Sequence, residues 1–121
     1  MDYESTREVA SKENPGVVFR IVRMSLQRRI ELGRRATGLL KRSTFLKAGP
    51  EALDHIEAAV IDKELERLYI EWGLASIAGL TIDGQPADAM ALVERGPEAL
   101  VREVLNAVRT ETGLTEIERK N

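Results

Sequence analysis

The segment ELERLYIEWGLASIAGLTIDGQPAD, residues 64–88, decides the fold, because the sequence pattern changes twice within it. It begins as an acidic amphipathic stretch that runs to Trp72, the only tryptophan of the chain. Eleven uncharged residues follow, Trp72–Ile82, and lead into the tight-turn pair Asp83-Gly84. We therefore expect a helix up to Trp72, short extended pieces after it, and a return to helix near Asp88.

Upstream of this segment, the sequence predicts two long helices, one basic and one acidic. The first covers Leu26–Ala48, with Ser25 as its N-cap, and ends at Gly49-Pro50. The second covers residues 51–73, and Gly73 can end it in the left-handed conformation. The residues that it should bury recur at helical spacing and are Ile61, Leu65, Leu68 and Trp72. Because so short a break separates the helices, we expect them to form an antiparallel hairpin.

Extended structure is also expected nearer the N-terminus. Residues 1–15 are polar and lead into Asn14-Pro15-Gly16, which predicts a flexible N-terminal arm. Val17–Met24 is rich in β-branched residues, which favours a short strand, and a helix is the alternative because the segment has only eight residues. Ser76–Ala78 and Leu80–Ile82 are the other extended candidates. Leu80–Ile82 is expected to pair with Val17–Met24 or with its own neighbour, which gives a two- or three-stranded sheet.

Two helices are expected after the turn. Asp88 caps Ala89–Arg95, and Ala99–Thr112 forms the second helix, with Gly113 as its stop. Residues Thr115–Glu118 have capping-box spacing for one last helical turn. The predicted fold class is therefore α+β and mostly α-helical, with a long antiparallel helical hairpin, a small two- or three-stranded sheet and two C-terminal helices. Residues 16–121 are expected to form a single globular domain.

The net charge of −2 hides a strong asymmetry along the 121 residues. Residues 16–50 contain nine bases and one acid, whereas residues 51–121 contain fifteen acids and seven bases. Such a split either drives an external interaction or lets two parts of the fold neutralise each other. The basic segment Arg20–Lys47 is therefore the first candidate for a binding function.

The residues that usually carry catalysis are scarce. The chain contains no cysteine, so it has no disulfide, thiolate zinc site or cysteine nucleophile. The single histidine, His55, has only Glu51 one turn away, which is not a full metal site, so a surface or cap role is expected. Gly33–Gly38 opens like a phosphate-binding loop, but Leu39-Leu40 replace the required lysine and hydroxyl residue. The sequence thus predicts no catalytic, metal or cofactor-binding residues and no enzyme.

Two seven-residue repeats in the first helix suggest a partner-binding surface. Arginines recur in one repeat and leucines in the other, and we expect the arginines to form the polar rim and the leucines the apolar centre. The six residues are Arg28, Leu32, Arg35, Leu39, Arg42 and Leu46. The alternative is a small nucleic-acid-binding module that uses the basic helix, residues 20–47. Scarce aromatic residues and the absence of a nucleic-acid motif disfavour that alternative without excluding it.

Several motifs resemble small proteins of tailed phages and prophages. They include Leu68–Gly73 and Gly79–Ala87, and the similarity extends to Arg28–Leu32, Gly96–Glu98 and the ending Leu114–Asn121. Proteins of this kind belong to tail morphogenesis and resemble tail assembly chaperones, which keep an aggregation-prone tail protein soluble. The resemblance covers most of the chain from about Val17 and implies no catalytic residues and no cofactor.

This resemblance implies a protein partner, namely a tape-measure or tail-tube protein. The sequence shows neither a signal pattern nor a run of roughly 20 apolar residues, so no membrane association is expected. The expected location is the cytoplasm, which is the host cell's cytoplasm if a phage encodes the chain. The sequence is also compatible with a homo-oligomer.

Overall fold

The computed structural model describes residues 1–113, which divide into two compact units. The first unit combines residues 1–24 with the chain from residue 70 onward, and the second unit is the continuous segment Ser25–Tyr69. The sequence predicted one domain over residues 16–121. The elements in chain order are β1 (Thr6–Ala10), β2 (Val18–Val22), α1 (Leu26–Lys47), α2 (Ala52–Gly73), β3 (Leu74–Ala78), β4 (Thr81–Ile82), β5 (Gln85–Pro86), α3 (Ala89–Arg95) and α4 (Glu98–Thr112).

The predicted fold class is confirmed, since residues 1–113 form four helices, a three-stranded sheet and a separate two-stranded hairpin. The larger sheet is antiparallel throughout and has the strand order β1-β2-β3. Phe19 and Ile21 of β2 are completely buried, and Phe19 lies opposite Ile77 of β3. The alternating pattern of the β2 sequence therefore gives the sheet one core-facing side.

The N-terminal segment differs from the prediction, because Thr6–Ala10 is the edge strand β1 and not a flexible arm. Side chains anchor this strand and the turn after it to α4. The Ser11 hydroxyl donates to Glu103 Oε1 at 2.6 Å, and the Lys12 backbone N–H donates to Glu103 Oε2 at 2.8 Å. Arg7 lies 3.9 Å from the Glu111 carboxylate. These partners lie about a hundred residues away, so local composition could not reveal them.

The Asp83-Gly84 turn forms as predicted and joins β4 to β5. Both turn residues have positive φ angles, 53° and 80°, which suits a tight hairpin of the type I′ family. The chain therefore follows the second of the two predicted pairings, since Thr81–Ile82 pairs with its own neighbour. The strand that pairs with β2 is β3, which begins directly after Gly73.

Helices α3 and α4 match their predicted positions within one residue. The Asp88 carboxylate caps α3 by accepting from the Ala91 backbone N–H at 2.8 Å. Gly113 ends α4 in the left-handed conformation, with φ 74°. The inward face of α4 contains Leu100, Val104, Leu105 and Val108. The predicted cap over Thr115–Glu118 lies outside the described residues.

Gly73 has another role than the one predicted. It is the last residue of α2, and its φ angle is not positive, so it is not a left-handed stop. A Cβ atom at this position would lie 2.6 Å from Cγ1 of Val108, a completely buried residue of α4. The glycine is therefore required by the close approach of two helices within the first unit.

The second unit is the predicted helical hairpin. The Ser25 hydroxyl accepts from the Arg28 backbone N–H at 3.2 Å, which confirms the N-cap of α1. Near the hairpin tip, Leu46 of α1 forms a small core with Ala58 and Ile61 of α2, and Leu39 packs against it. Ile61, Leu65 and Trp72 are buried as predicted, while Leu68 is half-buried.

Candidate protein-binding surface of the helical hairpin

Ion pairs and a hydrogen bond link the helices of the hairpin near its tip. Arg42 pairs with Glu57, and Lys47 Nζ lies 3.0 Å from the Asp62 carboxylate. The buried Ser43 hydroxyl donates to the same carboxylate at 2.7 Å. The charge asymmetry of the sequence is therefore partly neutralised between α1 and α2.

Most of the cations of α1 are not used in this way. Four of them are exposed, and their side chains form no ion pair or hydrogen bond with any residue of the described segment 1–113. They are Arg29, Arg34, Arg35 and Lys41. Unpaired cations are well hydrated and easily rearranged, so they are available to an external anionic group.

The predicted apolar centre is not a free surface. Leu32 is 3% exposed and Leu46 is 9% exposed, and Leu39 is half-buried against the core near the hairpin tip. The prediction that these leucines form an open binding surface is therefore wrong, because they already pack inside the protein. Seven-residue spacing identifies a helix face, but it does not tell whether the protein or a partner covers that face.

The three predicted rim arginines have different environments. Arg42 is exposed and paired with Glu57, while Arg28 is half-buried and interacts within the chain. Of these three arginines, Arg35 is the exposed one whose side chain has no ion pair or hydrogen bond within residues 1–113. The structure therefore places the arginines beside the hairpin contact and does not group them around an apolar centre.

A different face of α1 is open, and it carries apolar residues. Leu26 is 80% exposed, Ile30 is 41% exposed and Leu40 is 43% exposed. Gly33 lies between them on the same face, and a Cβ atom built there would contact nothing within 4 Å. From Leu26 to Leu40 the stripe extends for about 21 Å at 1.5 Å per residue. We call this stripe the α1 outer face.

Three of the unpaired cations border the α1 outer face. Arg29 follows Leu26 by three residues, Arg34 follows Ile30 by four, and Lys41 is next to Leu40. Residues three or four apart are neighbours on a helix, so cations stand on both sides of the apolar stripe. The helical spacing of Leu26, Ile30 and Leu40 in the sequence is enough to place them on one face. The sequence also indicates that this face is exposed, because it contains Gly33 and Thr37 instead of large apolar residues.

His55 and Trp72 were the other residues singled out by the sequence. His55 is exposed, and its Nε2 lies 2.7 Å from the Gly49 carbonyl oxygen in the hairpin loop. Trp72 is 5% exposed and belongs to the core. Within residues 1–113, no group of three or more histidine, aspartate or glutamate residues is arranged to hold a metal. None of the helices in this range is long and apolar enough to cross a membrane.

A shallow groove lies between α4 and the turn that follows β1. Its charged lining residues are Lys12, Glu13, Arg102 and Glu103. Both carboxylate oxygens of Glu103 already accept hydrogen bonds, from the Ser11 hydroxyl and the Lys12 backbone N–H. Glu103 therefore holds the turn after β1, and both of its carboxylate oxygens are engaged within the protein.

Comparison with known proteins adds no assignment. No family model, curated protein or solved structure matches the chain. The function is therefore inferred from the surfaces of the hairpin and from the resemblance of the sequence motifs.

Proposed function

We propose that the chain is a non-enzymatic protein of phage or prophage tail morphogenesis, which binds another tail protein as tail assembly chaperones do. The partner is a tape-measure or tail-tube protein, and binding takes place in the cytoplasm of the host cell. The motifs around Leu68–Gly73 and Gly79–Ala87 support the family assignment by resemblance. The α1 outer face supports the binding role.

The observation that carries the proposal is the exposed apolar stripe bordered by unpaired cations. Burying apolar surface gains roughly 25 cal/mol per Å², so covering Leu26, Ile30 and Leu40 favours association. Arg29, Arg34 and Lys41 would orient a partner with acidic residues beside its own apolar stripe. An amphipathic helix in an aggregation-prone tail protein has this chemistry.

The test is co-expression with the tape-measure or tail-tube protein of the same genome. We expect the wild-type chain to raise the soluble fraction of that partner and to co-purify with it. The double variant Ile30→Asp/Leu40→Asp should lose both effects, with binding weakened by roughly 100-fold or more, since two charges would be buried without partners.

A matched control is Met90→Asp, which changes an exposed apolar residue of α3, 60% exposed. This variant should bind the partner like wild type. Circular dichroism of both variants should show an unchanged helical content, because the altered side chains are exposed. Equal binding by the double variant and wild type would refute the proposed surface.

Nucleic-acid binding is the second candidate, because four exposed cations of the basic helix have no partner among residues 1–113. A salt titration of DNA and RNA binding discriminates the two functions. Phosphate contacts would give a log–log slope of several units and weaker binding in Arg34→Ala and Arg35→Ala. Absence of binding at low salt would eliminate this candidate.

A further inference from the structure

A second apolar patch lies at the hairpin tip, on the side marked by the Arg42–Glu57 ion pair. Phe45 follows Arg42 by three residues, Leu53 precedes Glu57 by four, and Val60 follows Glu57 by three. Such neighbours share a helix face, so all three apolar residues lie on the side of the hairpin where the ion pair forms. Their exposed fractions are 78%, 77% and 53%. We call Phe45, Leu53 and Val60 the tip patch.

Two charged residues continue the same side away from the tip. Arg35 precedes Arg42 by seven residues, and Glu64 follows Glu57 by seven, so each remains on the face of its ion-paired neighbour. Both are exposed, and neither side chain has an ion pair or hydrogen bond within residues 1–113. One side of the hairpin thus presents an apolar tip, an unpaired cation on α1 and an unpaired anion on α2.

We propose that this side of the hairpin binds a second copy of the chain. The two hairpins stack with a twofold axis parallel to their helices, tip over tip, and form a four-helix bundle. Each α1 then lies over the α2 of the other copy, and Arg35 pairs with the partner's Glu64. The contact is made twice, as twofold symmetry requires.

Charge complementarity indicates that this side of the hairpin binds a second copy of the chain. On the side of the tip patch, α1 presents Arg35 and Arg42, whereas α2 presents Glu57 and Glu64. Stacking α1 on the partner's α2 therefore places opposite charges together at both contacts. A twofold axis perpendicular to the helices would instead stack α1 on α1 and α2 on α2, which places like charges together. The surface is thus self-complementary in one orientation only.

This interface goes beyond the proposed function and uses a different part of the hairpin. The α1 outer face, with Leu26, Ile30 and Leu40, is not part of it. A dimer built on the tip patch leaves that outer face accessible on each copy. Failure of tail-protein binding and failure of dimerisation can therefore be observed separately.

The experiment is sedimentation velocity of the full chain over a range of concentrations and salt. Wild type should form a dimer that dissociates as salt rises, because exposed ion pairs are screened. Arg35→Glu and Glu64→Arg should each weaken dimerisation by roughly tenfold or more, since each places like charges opposite each other twice. Arg29→Glu, a charge reversal at an exposed position on the border of the α1 outer face away from Phe45, should leave the dimer intact.

Mixing the two single variants separates contacts between copies from contacts within one copy. A chain with Arg35→Glu and a chain with Glu64→Arg restore both charge pairs when they meet, so the mixture should form a heterodimer. The double variant R35E/E64R should regain self-association. Circular dichroism verifies that every variant is folded.

Two results would overturn the proposal. One is a wild-type chain that stays monomeric at low salt up to the highest soluble concentration. The other is a mixture of the folded single variants that does not associate more strongly than either variant alone.

Discussion

Asp62 shows how one residue links the two helices of the hairpin. Its carboxylate accepts a hydrogen bond from the buried Ser43 and pairs with Lys47. Partial burial acts to raise the pKa of Asp62, but the bonds from Ser43 and Lys47 and the charges of Lys47 and Lys63 outweigh it. The pKa of Asp62 is therefore lowered in the folded protein, and the ionised form is the stabilising one.

We predict that Asp62→Asn destabilises the protein by about 0.5–1 kcal/mol near pH 7, because a charged hydrogen-bond acceptor is lost while part of its effect is screened by solvent. A lowered folded-state pKa contributes stability that is present above the unfolded-state value of about 4 and is lost as the pH falls through the folded-state value. The difference in unfolding free energy between wild type and Asp62→Asn should therefore shrink below about pH 4. Urea denaturation across pH 2–7 measures it, and a difference independent of pH would contradict the assignment.

At the scale of elements, two helical glycines differ in the space available for a side chain. Gly73 at the end of α2 faces the buried Val108 of α4, where a Cβ atom would approach within 2.6 Å. Gly33 in the middle of α1 faces open space. Helix propensity alone predicts the same gain in stability for alanine at either position. The difference in unfolding free energy between the two alanine variants therefore reports how closely α4 packs against Gly73.

We predict that Gly73→Ala destabilises the protein by about 1–3 kcal/mol, because the new methyl group overpacks a closed contact. Gly33→Ala should instead stabilise the isolated protein by about 0.5–1 kcal/mol, since alanine is the better helix former. Thermal or urea unfolding of both variants tests the pair.

A double-mutant cycle locates the strain at Val108. The combination of Gly73→Ala with Val108→Ala should cost less than the sum of the two single changes, because the smaller side chain makes room for the methyl group. Additive effects would show that the alanine is accommodated elsewhere.

Elements with local signals could be predicted from the sequence, and those held by distant contacts could not. The caps Ser25 and Asp88 and the turn at Asp83-Gly84 depend on neighbouring residues, and they occur where predicted. Strand β1 pairs with the neighbouring β2, but it was missed because Thr6–Ala10 has only two apolar residues, Val9 and Ala10. The contacts of Arg7 with Glu111 and of Ser11 with Glu103, which attach this segment to α4, are remote in sequence. The burial of Leu32 and Leu46 was not predicted, because periodicity defines the faces of α1 but not which of them the protein covers.

On the scale of the whole chain, the hairpin is an insertion between two adjacent strands. Strands β2 and β3 are neighbours in the sheet, and Ile21 lies opposite Leu74. Residues 25–69 therefore leave the first unit and return to it at nearly the same place. Opposed residues in an antiparallel pair lie about 5 Å apart, so a short linker can replace the hairpin.

We predict that a chain in which a short Gly-Ser linker replaces residues 25–69 still folds. The sheet, α3 and α4 keep their core, which contains Phe19, Ile21, Leu100 and Val104. Circular dichroism should show reduced helical content together with a cooperative thermal transition. A non-cooperative transition, or strong binding of a hydrophobic dye, would show that the first unit depends on the hairpin. The full chain measured in parallel is the control.

The insertion also has a consequence for protein synthesis. Strand β1 leaves the ribosome first, but its anchor Glu111 follows 104 residues later, which takes about 5–20 s at roughly 5–20 residues per second. The contacts of Arg42 with Glu57 and of Ser43 with Asp62 join residues close in sequence, so the hairpin can fold during this interval. The nascent N-terminal strands meanwhile have free edges. A hairpin that folds early shortens the chain between β2 and β3, so that β3 emerges close to the strand with which it pairs.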